Sequence, residues 1–239
     1  MRINWNNIKM LILLVVVGFL FAFASGRNKV RVVSSPAVKF MGENNLFITN
    51  EAVSKLLIQN YSSAENVSKE SLDLSKLENA LKSNPMIKSA EVYVAVNGTL
   101  NAEIEQRTPI ARVSTNASYY IDDEGFYMPL SNNFSARVPL VTGFIEKNNL
   151  KNVFKIATKI RDDEFLKTNV IEIHQNANNV LFLKLRQCRF LVQLGDLNLI
   201  DKKINNLKAF YLKNIKEKTL DNYSKVNLQF DNQVVCTKI

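Results

Sequence analysis

Residues 74–113, LSKLENALKSNPMIKSAEVYVAVNGTLNAEIEQRTPIARV, contain the strongest fold signal of the chain. Apolar and polar residues alternate over residues 90–96 and again over residues 100–104, on either side of Asn97 and Gly98. Asn-Gly between two alternating segments predicts a β-hairpin, because both residue types tolerate the positive φ angles of its turn. This hairpin presents one apolar face that other elements must cover.

Two helices are predicted before the hairpin. The first begins at Thr49 or Asn50, since either residue is a good N-cap. The second covers residues 73–83, where leucines recur at helical spacing and a serine–glutamate capping box begins at Ser75. With a strand entering near residues 30–40, this order predicts a small α+β unit in which two helices cover one face of a sheet. The polar stretch 61–71 is predicted to be a loop.

The chain becomes strand-rich from Val113 onward. A tight turn at residues 122–125 predicts a second hairpin. Helical spacing of apolar residues predicts a helix over residues 150–160 and a long amphipathic helix over residues 199–215, with Ile215 facing inward. Further strands are predicted over residues 170–174, 180–185, 190–194 and 223–236.

Residues 8–25 form an uncharged apolar stretch of about 18 residues, long enough to cross a ~30 Å hydrocarbon core as a helix. Trp5 and Lys9 suit the membrane interface. The alternative is a cleaved signal peptide, because Ala22-Phe23-Ala24 before Ser25 resembles a cleavage site. The length of the apolar run and its phenylalanines favour an uncleaved anchor. Basic residues flank both sides, so charge alone leaves the topology open.

The net charge of +9 raises the question of nucleic-acid binding. The positive charge is dispersed, and its densest stretch, residues 202–218, has the amphipathic pattern of a helix with a solvated face. We therefore expect no nucleic-acid partner. Cys188 and Cys236 have neither metal-ligand nor redox-motif spacing. Outside the cytoplasm they could pair, and two half-buried strand thiols are an equally good interpretation.

Catalytic signals are weak throughout the sequence. His174, the single histidine, lies in an alternating strand, and the common hydrolase, zinc-protease, P-loop and dinucleotide-binding motifs are missing. The Asp122-Asp123-Glu124 cluster could hold calcium, but it lacks regular ligand spacing and its residues suit a hairpin turn. We expect no catalytic residue, metal, cofactor or small-molecule substrate. The chain is interpreted as a binding module.

The order of these features resembles the bacterial cell-division family FtsQ/DivIB. The likeness rests on the apolar anchor, on residues 74–113 with their N-P-x-[IV]-x-x-A-x-V and R-x-P-I-A patterns, and on YYIDDEGFYMPLS at 119–131. It also rests on Gly195-Asp196, the helix that follows, and YSKVNLQFDNQVVC at 223–236. Together these stretches cover nearly the whole chain.

The resemblance implies a fold and a location. The fold is α+β, with a transmembrane helix, a small POTRA-type βααββ domain, and a larger mixed β domain with a long C-terminal helix and a terminal edge strand. The expected boundaries are a cytoplasmic tail at 1–7, the transmembrane helix at 8–25, the POTRA-type domain at 30–112 and the β domain at 113–239. The implied location is the inner membrane, with a single span, the folded domains in the periplasm, and concentration at the division septum.

The resemblance also implies a non-enzymatic divisome scaffold. Its partners would be other membrane division proteins, namely an FtsB–FtsL-like pair, with FtsK-like and FtsW-like proteins as further candidates, and membrane lipid through the anchor. A partner segment would add a strand at the C-terminal edge, and the POTRA domain would make further contacts. The predicted partner-binding residues are Tyr223, Val226, Leu228, Phe230, Val234 and Val235.

Two other interpretations fit parts of the same sequence. A POTRA-bearing chaperone or transport component of the envelope would have the same small domain, but repeated POTRA units are not evident in the sequence. A secreted cell-wall enzyme would require a cleaved signal and a catalytic constellation that the sequence does not reveal.

Overall fold

The computed structural model describes residues 5–29, 34–42, 45–61, 72–146, 149–231 and 233–239. The chain divides into two compact units, Met1–Gln106 and Arg107–Ile239. The loop predicted at 61–71 lies outside the described residues except for Tyr61. The first four residues of the strand predicted at 30–40 also lie outside them.

The N-terminal helix α1 comprises Trp5–Lys29. Its segment Ile8–Gly26 is 19 residues long and is the only one, within the described part of the chain, that is long and apolar enough to cross a membrane. At 1.5 Å per residue it extends about 28 Å, close to the thickness of a hydrocarbon core. This finding confirms the predicted apolar N-terminal helix.

The rest of the first unit has the predicted order βααββ. Its elements are β1 (Ser34–Met41), α2 (Asn50–Tyr61), α3 (Leu74–Lys82), β2 (Ile87–Val94) and β3 (Thr99–Gln106). The strand order is β1-β3-β2, with β1 parallel and β2 antiparallel to β3. The Asn97-Gly98 turn joins β2 to β3 as predicted, and Gly98 has φ +90°.

An apolar core holds the described part of the first unit together. Alternate residues of the hairpin, such as Val92 and Ala102, face leucines of the two helices, such as Leu57 and Leu81. The amide side chain of Gln106 is also buried, and its Oε1 accepts hydrogen bonds from the backbone N–H groups of Phe47 (3.0 Å) and Ile48 (3.3 Å). These bonds satisfy a polar group whose burial would otherwise destabilise the unit.

The capping box predicted at Ser75 is wrong. Asp73, in an extended conformation, caps α3 because its Oδ1 accepts from Lys76 N at 3.0 Å. Ser75 lies inside the helix, and Glu78 Oε1 accepts from Val92 N in β2 at 3.0 Å. The glutamate therefore links the helix to the sheet.

The second unit is built on one nine-stranded sheet. Its strands are β4 (Pro109–Ser114), β5 (Ser118–Asp122), β6 (Tyr127–Met128), β7 (Leu140–Gly143), β8 (Val170–Gln175), β9 (Leu181–Leu185), β10 (Leu191–Gly195), β11 (Tyr223–Asn227) and β12 (Val235–Lys238). Its helices are α4 (Lys151–Asp162), α5 (Glu164–Asn169) and α6 (Ile200–Glu217), followed by a 3₁₀ turn at Leu220–Asn222. The strand order is β12-β11-β10-β9-β8-β7-β4-β5-β6.

Residues 107–112 belong to the second unit. The boundary expected from the sequence lies after residue 112. Strand β4 pairs with β5 and β7 of the large sheet. Because β4 is part of that sheet, its residues Ile110 and Ala111 belong to the apolar core of the second unit.

The core of the second unit lies between one face of the sheet and the apolar sides of α4 and α6. Fully buried valines and leucines, including Val192 and Val226, stand in register across neighbouring strands and share a cluster with Ile156 of α4 and Leu207 of α6. The expectation that Ile215 faces inward is wrong, because its side chain is 45% exposed. Asn214 is buried instead, and its Oδ1 accepts from Thr219 Oγ1 at 2.8 Å where the helix ends.

The strand predicted over residues 223–236 is two strands, β11 and β12, joined by a loop. The break follows Asn227, whose Oδ1 accepts from Gln229 N at 3.0 Å. A side chain that bonds the backbone two residues ahead favours a turn over a continued strand. Strand β7 and helix α5 were not predicted.

Candidate functional site

Strand β12 forms one edge of the large sheet. It pairs antiparallel with β11, which runs parallel to β10. Among the described residues no strand pairs with the other side of β12. Such an edge carries backbone N–H and C=O groups that a strand from another chain can bind.

The backbone amides that face the open side of β12 follow from the register. Val235 pairs with Asn227 and Thr237 pairs with Lys225, while Ile239 N donates to Asn222 O at 3.0 Å on the β11 side. Backbone groups alternate in direction along an antiparallel strand. The N–H groups of Cys236 and Lys238 therefore point away from β11.

The six predicted partner-binding residues fall into three groups by exposure. Val226 and Leu228 are buried, with 0% and 1% exposure, so their side chains are not available to a partner in this structure. Phe230 and Val235 are 46% and 41% exposed.

Tyr223 and Val234 are half-buried and pack against the core. The accessible members of the predicted set therefore lie in the loop before β12 and in β12 itself.

The loop that carries Phe230 is held to β10 by hydrogen bonds. Leu228 N donates to Gln193 O at 2.9 Å, and Gln193 Nε2 donates to Gln229 Oε1 at 2.5 Å. The Gln229 side chain lies over Gly195, which has φ +73°. A Cβ at that glycine would lie 2.7 Å from Gln229 Cγ, so the positive φ and this close approach together favour glycine.

An aromatic cluster supports the start of β11. The ring of Tyr223 meets Phe210 of α6 edge-on with centroids 5.2 Å apart, and Phe210 meets Phe190 in the same way at 5.8 Å. Such pairs stabilise a core beyond the effect of buried area alone. Tyr223 therefore fixes the hairpin β11–β12 against α6.

The sheet face beside the open edge combines apolar and basic side chains. The register aligns Leu191 with Lys225 and Lys225 with Thr237, so these three residues form a row that ends at β12. Leu191 is 46% exposed. A partner strand at β12 would extend this row with side chains of its own.

Both cysteines are free thiols in the structure. Cys188 is buried, and burial raises the pKa of its thiol to about 11, with the charge of Asp221 adding to the effect. Burial also raises the pKa of Cys236. A thiol with a raised pKa is a poor nucleophile at neutral pH.

Asp122, the first residue of the acidic cluster at the β5–β6 turn, is held by structural hydrogen bonds. Asp122 is 0% exposed, and its Oδ2 accepts from Arg107 Nη1 at 2.5 Å. Its Oδ1 accepts from the backbone N–H groups of Glu124 (3.1 Å) and Phe126 (2.7 Å). Within the described residues no group of three or more His, Cys, Asp or Glu side chains is placed to hold a metal ion.

His174 lies on the exposed face of β8 and takes part in a short relay. Thr142 Oγ1 donates its proton to Glu172 Oε1 at 2.7 Å and lies 2.9 Å from His174 Nδ1. Because the hydroxyl has only one proton, His174 Nδ1 must donate to it. The arrangement orients the imidazole and does not activate the threonine as a nucleophile, which would require the imidazole to accept that proton.

A cleft of about 390 Å³ lies near the start of α6. Asparagine and glutamine amides line much of it, together with Lys203 and Asp196. These two side chains form an ion pair with each other. Lys203 Nζ donates to Asp196 Oδ1 at 2.8 Å and to Asp196 O at 2.9 Å. These bonds tie the end of β10 to α6.

Sequence reasoning missed the last part of the open edge, because the predicted strand stopped at residue 236. Thr237 and Lys238 complete β12 and are exposed. The signal that could have found them is the run of β-branched residues Val234, Val235 and Thr237, which favours a strand.

Comparison with known proteins agrees with this architecture. Residues 108–237 match the family model described as "FtsQ/DivIB, C-terminal related", and residues 42–105 match a POTRA-like domain. The chain is also similar to the cell division protein FtsQ of Geotalea daltonii, with 23% identity over 180 residues. That region covers 70% of this chain and 64% of the relative, so the chain spans less than two thirds of the relative's length.

The matched ranges include the stretches of sequence that resemble the FtsQ/DivIB family, namely most of residues 74–113, residues 119–131 and residues 223–236. The apolar helix α1 together with the family match fits a single-pass protein of the inner membrane. The FtsQ/DivIB match by itself covers more than half of the chain. The chain therefore belongs to the FtsQ/DivIB family.

Proposed function

We propose that this protein is a divisome scaffold that binds other membrane division proteins by strand addition at β12. Family membership supports a role in cell division. The observation that carries the proposal is the open edge of β12, with the outward amides of Cys236 and Lys238 and the exposed side chains of Phe230 and Val235. A partner strand would gain affinity from the backbone bonds and specificity from alternate side chains.

The proposal treats the protein as non-enzymatic. The thiol pKa values are raised, the one histidine is oriented by a threonine hydroxyl, and the Lys203–Asp196 pair is tied to backbone and side-chain partners. None of these arrangements couples a nucleophile to a base. A binding function requires no such coupling.

The partner proposed for the β12 edge is an FtsB–FtsL-like pair, as the family resemblance suggests. The POTRA-like unit would supply a second contact, through which FtsK-like or FtsW-like proteins could bind. The proposed location is the division septum, with the N-terminal tail in the cytoplasm and both units in the periplasm. Helix α1 would keep both units at the membrane surface where such partners lie.

The proposal is tested by co-purification of the tagged full-length chain from membranes of its own cell. Phe230→Lys places a charge where a partner would pack, and Lys238→Pro removes an outward N–H. We expect each variant to recover the FtsB–FtsL-like pair at a level reduced about tenfold or more, as is typical when a central contact is lost. Phe144→Lys is the matched control, because Phe144 is 69% exposed and lies at the end of β7, away from this edge.

Normal recovery with both edge variants, in protein that remains folded, would remove β12 from the interface. A septal location of the tagged chain, with filamentous cells on depletion, would test the cellular role separately.

A second candidate is a POTRA-bearing chaperone or transport component of the envelope. It is favoured only by the POTRA-like match at residues 42–105. Depletion that impairs envelope assembly while leaving septum formation intact would support it over the scaffold proposal.

A further inference from the structure

Six cationic side chains gather at the end of the second unit where α6 terminates. They belong to three elements and are all exposed: Lys167 in α5, Arg186 and Arg189 between β9 and β10, and Lys213, Lys216 and Lys218 at the end of α6. Hydrogen bonds hold these elements together. Arg186 N donates to Asn169 O at 2.8 Å, and Tyr211 Oη donates to Asn169 Oδ1 at 3.5 Å. We refer to these six residues as the basic end.

The basic end differs from the other cations of the helices. Lys203 pairs with Asp196 at 2.8 Å, Lys208 pairs with Asp163 at 2.5 Å, and Lys159 pairs with Asp201. No ion pair to another described residue is formed by any of the six cations of the basic end. Their charge is therefore available to a ligand outside the unit.

Two apolar side chains lie among these cations. Leu212 and Ile215 are 55% and 45% exposed, and a spacing of three residues places them side by side on α6. Lys213 and Lys216 follow them directly in the sequence. The patch therefore combines exposed aliphatic side chains with unpaired cations. It would fit a surface that carries anionic groups on the outside and has an apolar layer underneath them.

Stabilisation of the helix dipole does not explain the whole cluster. Lysines in the last turn of α6 complement the partial negative charge of the helix C-terminus. Arg186 and Arg189 lie outside that helix, and Lys167 belongs to another one. The unit as a whole is also basic, because residues 107–239 contain 20 Lys and Arg against 13 Asp and Glu, a net charge of +7, while residues 1–106 have +2.

We infer that the basic end binds the anionic headgroups of the membrane in which α1 is anchored, with Leu212 and Ile215 entering the headgroup layer. The bilayer is the occupant favoured by the chain itself, because a membrane-spanning α1 keeps the second unit tethered to its surface. Anionic leaflets attract juxtamembrane Lys and Arg, and aliphatic side chains add apolar contact. This contact is independent of β12 and would act whether or not a partner is bound.

The test uses the full-length chain in lipid vesicles. Trp5, the only tryptophan, is replaced by Phe, and Leu212→Trp introduces a reporter at the basic end. In vesicles with about 30% anionic lipid we expect blue-shifted emission and quenching by lipid-attached nitroxide, because anionic lipid attracts the cations. In neutral vesicles, and at about 1 M salt where the Debye length falls to about 3 Å, both effects should disappear.

Two controls separate this site from general attraction. Lys213→Glu with Lys216→Glu should reduce the anionic-lipid response about tenfold or more, since each cation near the surface contributes to binding. Lys151→Glu with Lys155→Glu, at exposed positions of α4, gives the same change in net charge and should leave the response nearly unchanged. A Phe144→Trp reporter, at the other end of the sheet beside Gln175, should not be quenched.

Equal responses from the two charge-reversal pairs, or equal quenching in neutral and anionic vesicles, would overturn the inference. Saturable binding of an acidic peptide without any response to lipid would overturn it as well and would identify a protein partner for the basic end. Circular dichroism of each variant checks that the fold is retained. The co-purification assay at β12 is a separate readout, so failure of one proposal leaves the other standing.

Discussion

The two edges of the nine-stranded sheet are built differently. At one edge, β6 is only two residues long, its Met128 is 0% exposed, and the neighbouring Tyr120 hydroxyl bonds Ser135 Oγ (3.2 Å) and Ala136 N (3.1 Å). At the other edge, β12 has four residues, and each of them is exposed or half-exposed. Short, covered edge strands prevent unwanted pairing, whereas a longer open one permits it. The difference indicates which edge is available to a partner.

The largest effect is expected in the loop between β11 and β12, where a buried and an exposed residue lie close together in the sequence. Leu228→Ala should lower the free energy of unfolding by about 3 kcal/mol, because it removes a fully buried side chain and leaves a cavity. Phe230→Ala, two residues later, should change it by less than about 0.5 kcal/mol. Chemical denaturation measures both. A similar loss for the two variants would mean that Phe230 belongs to the core.

Gly195→Ala should have the next largest effect, about 1–2 kcal/mol, since a side chain at φ +73° is strained and its Cβ would displace Gln229. The displaced loop should also weaken partner recovery in co-purification. The matched control is Gly42→Ala, because Gly42 also has positive φ, at +83°, but open space around it. Equal partner recovery by Gly195→Ala and wild type would show that the loop does not need this anchor.

At the opposite edge, Tyr120→Phe should cost about 1 kcal/mol, because the partly buried N–H of Ala136 loses its acceptor. Hydrogen exchange should then increase in residues 129–139 and stay unchanged in β12. Increased exchange at both edges would argue against independent edges.

The smallest effect concerns pH. The hydrogen bond from Lys203 lowers the pKa of Asp196 below its ordinary value of 3.8. The folded state therefore binds fewer protons than the unfolded state, so this stabilising contribution is present above about pH 4 and is lost as the pH falls through the folded pKa. Asp196→Asn should reduce the drop in Tm between about pH 6 and pH 3. An unchanged drop would assign acid sensitivity to other carboxylates.

Local patterns predicted most of the elements. The Asn97-Gly98 turn, the leucine spacing of α3 and the apolar spacing of α4 each specify a structure within a few residues. Strand β7 was missed because it has only four residues, and its place between β4 and β8 depends on parallel pairing with distant segments.

The site was harder to predict for the same reason. Alternation identified Val226, Leu228 and Phe230 as one set, but it could not tell which member faces the core. That choice depends on the pairing of β11 with β10 and on the turn that Asn227 begins. The basic end could not be predicted either, because three separate elements bring its cations together.

Residue-resolved amide hydrogen exchange of β12, with and without the co-expressed division partners, tests the central claim most directly. Strand addition should slow exchange at the outward amides of Cys236 and Lys238 and change little at Val235 and Thr237, which already point to β11. Unchanged exchange at Cys236 and Lys238 in a complex that still forms would contradict docking at this edge.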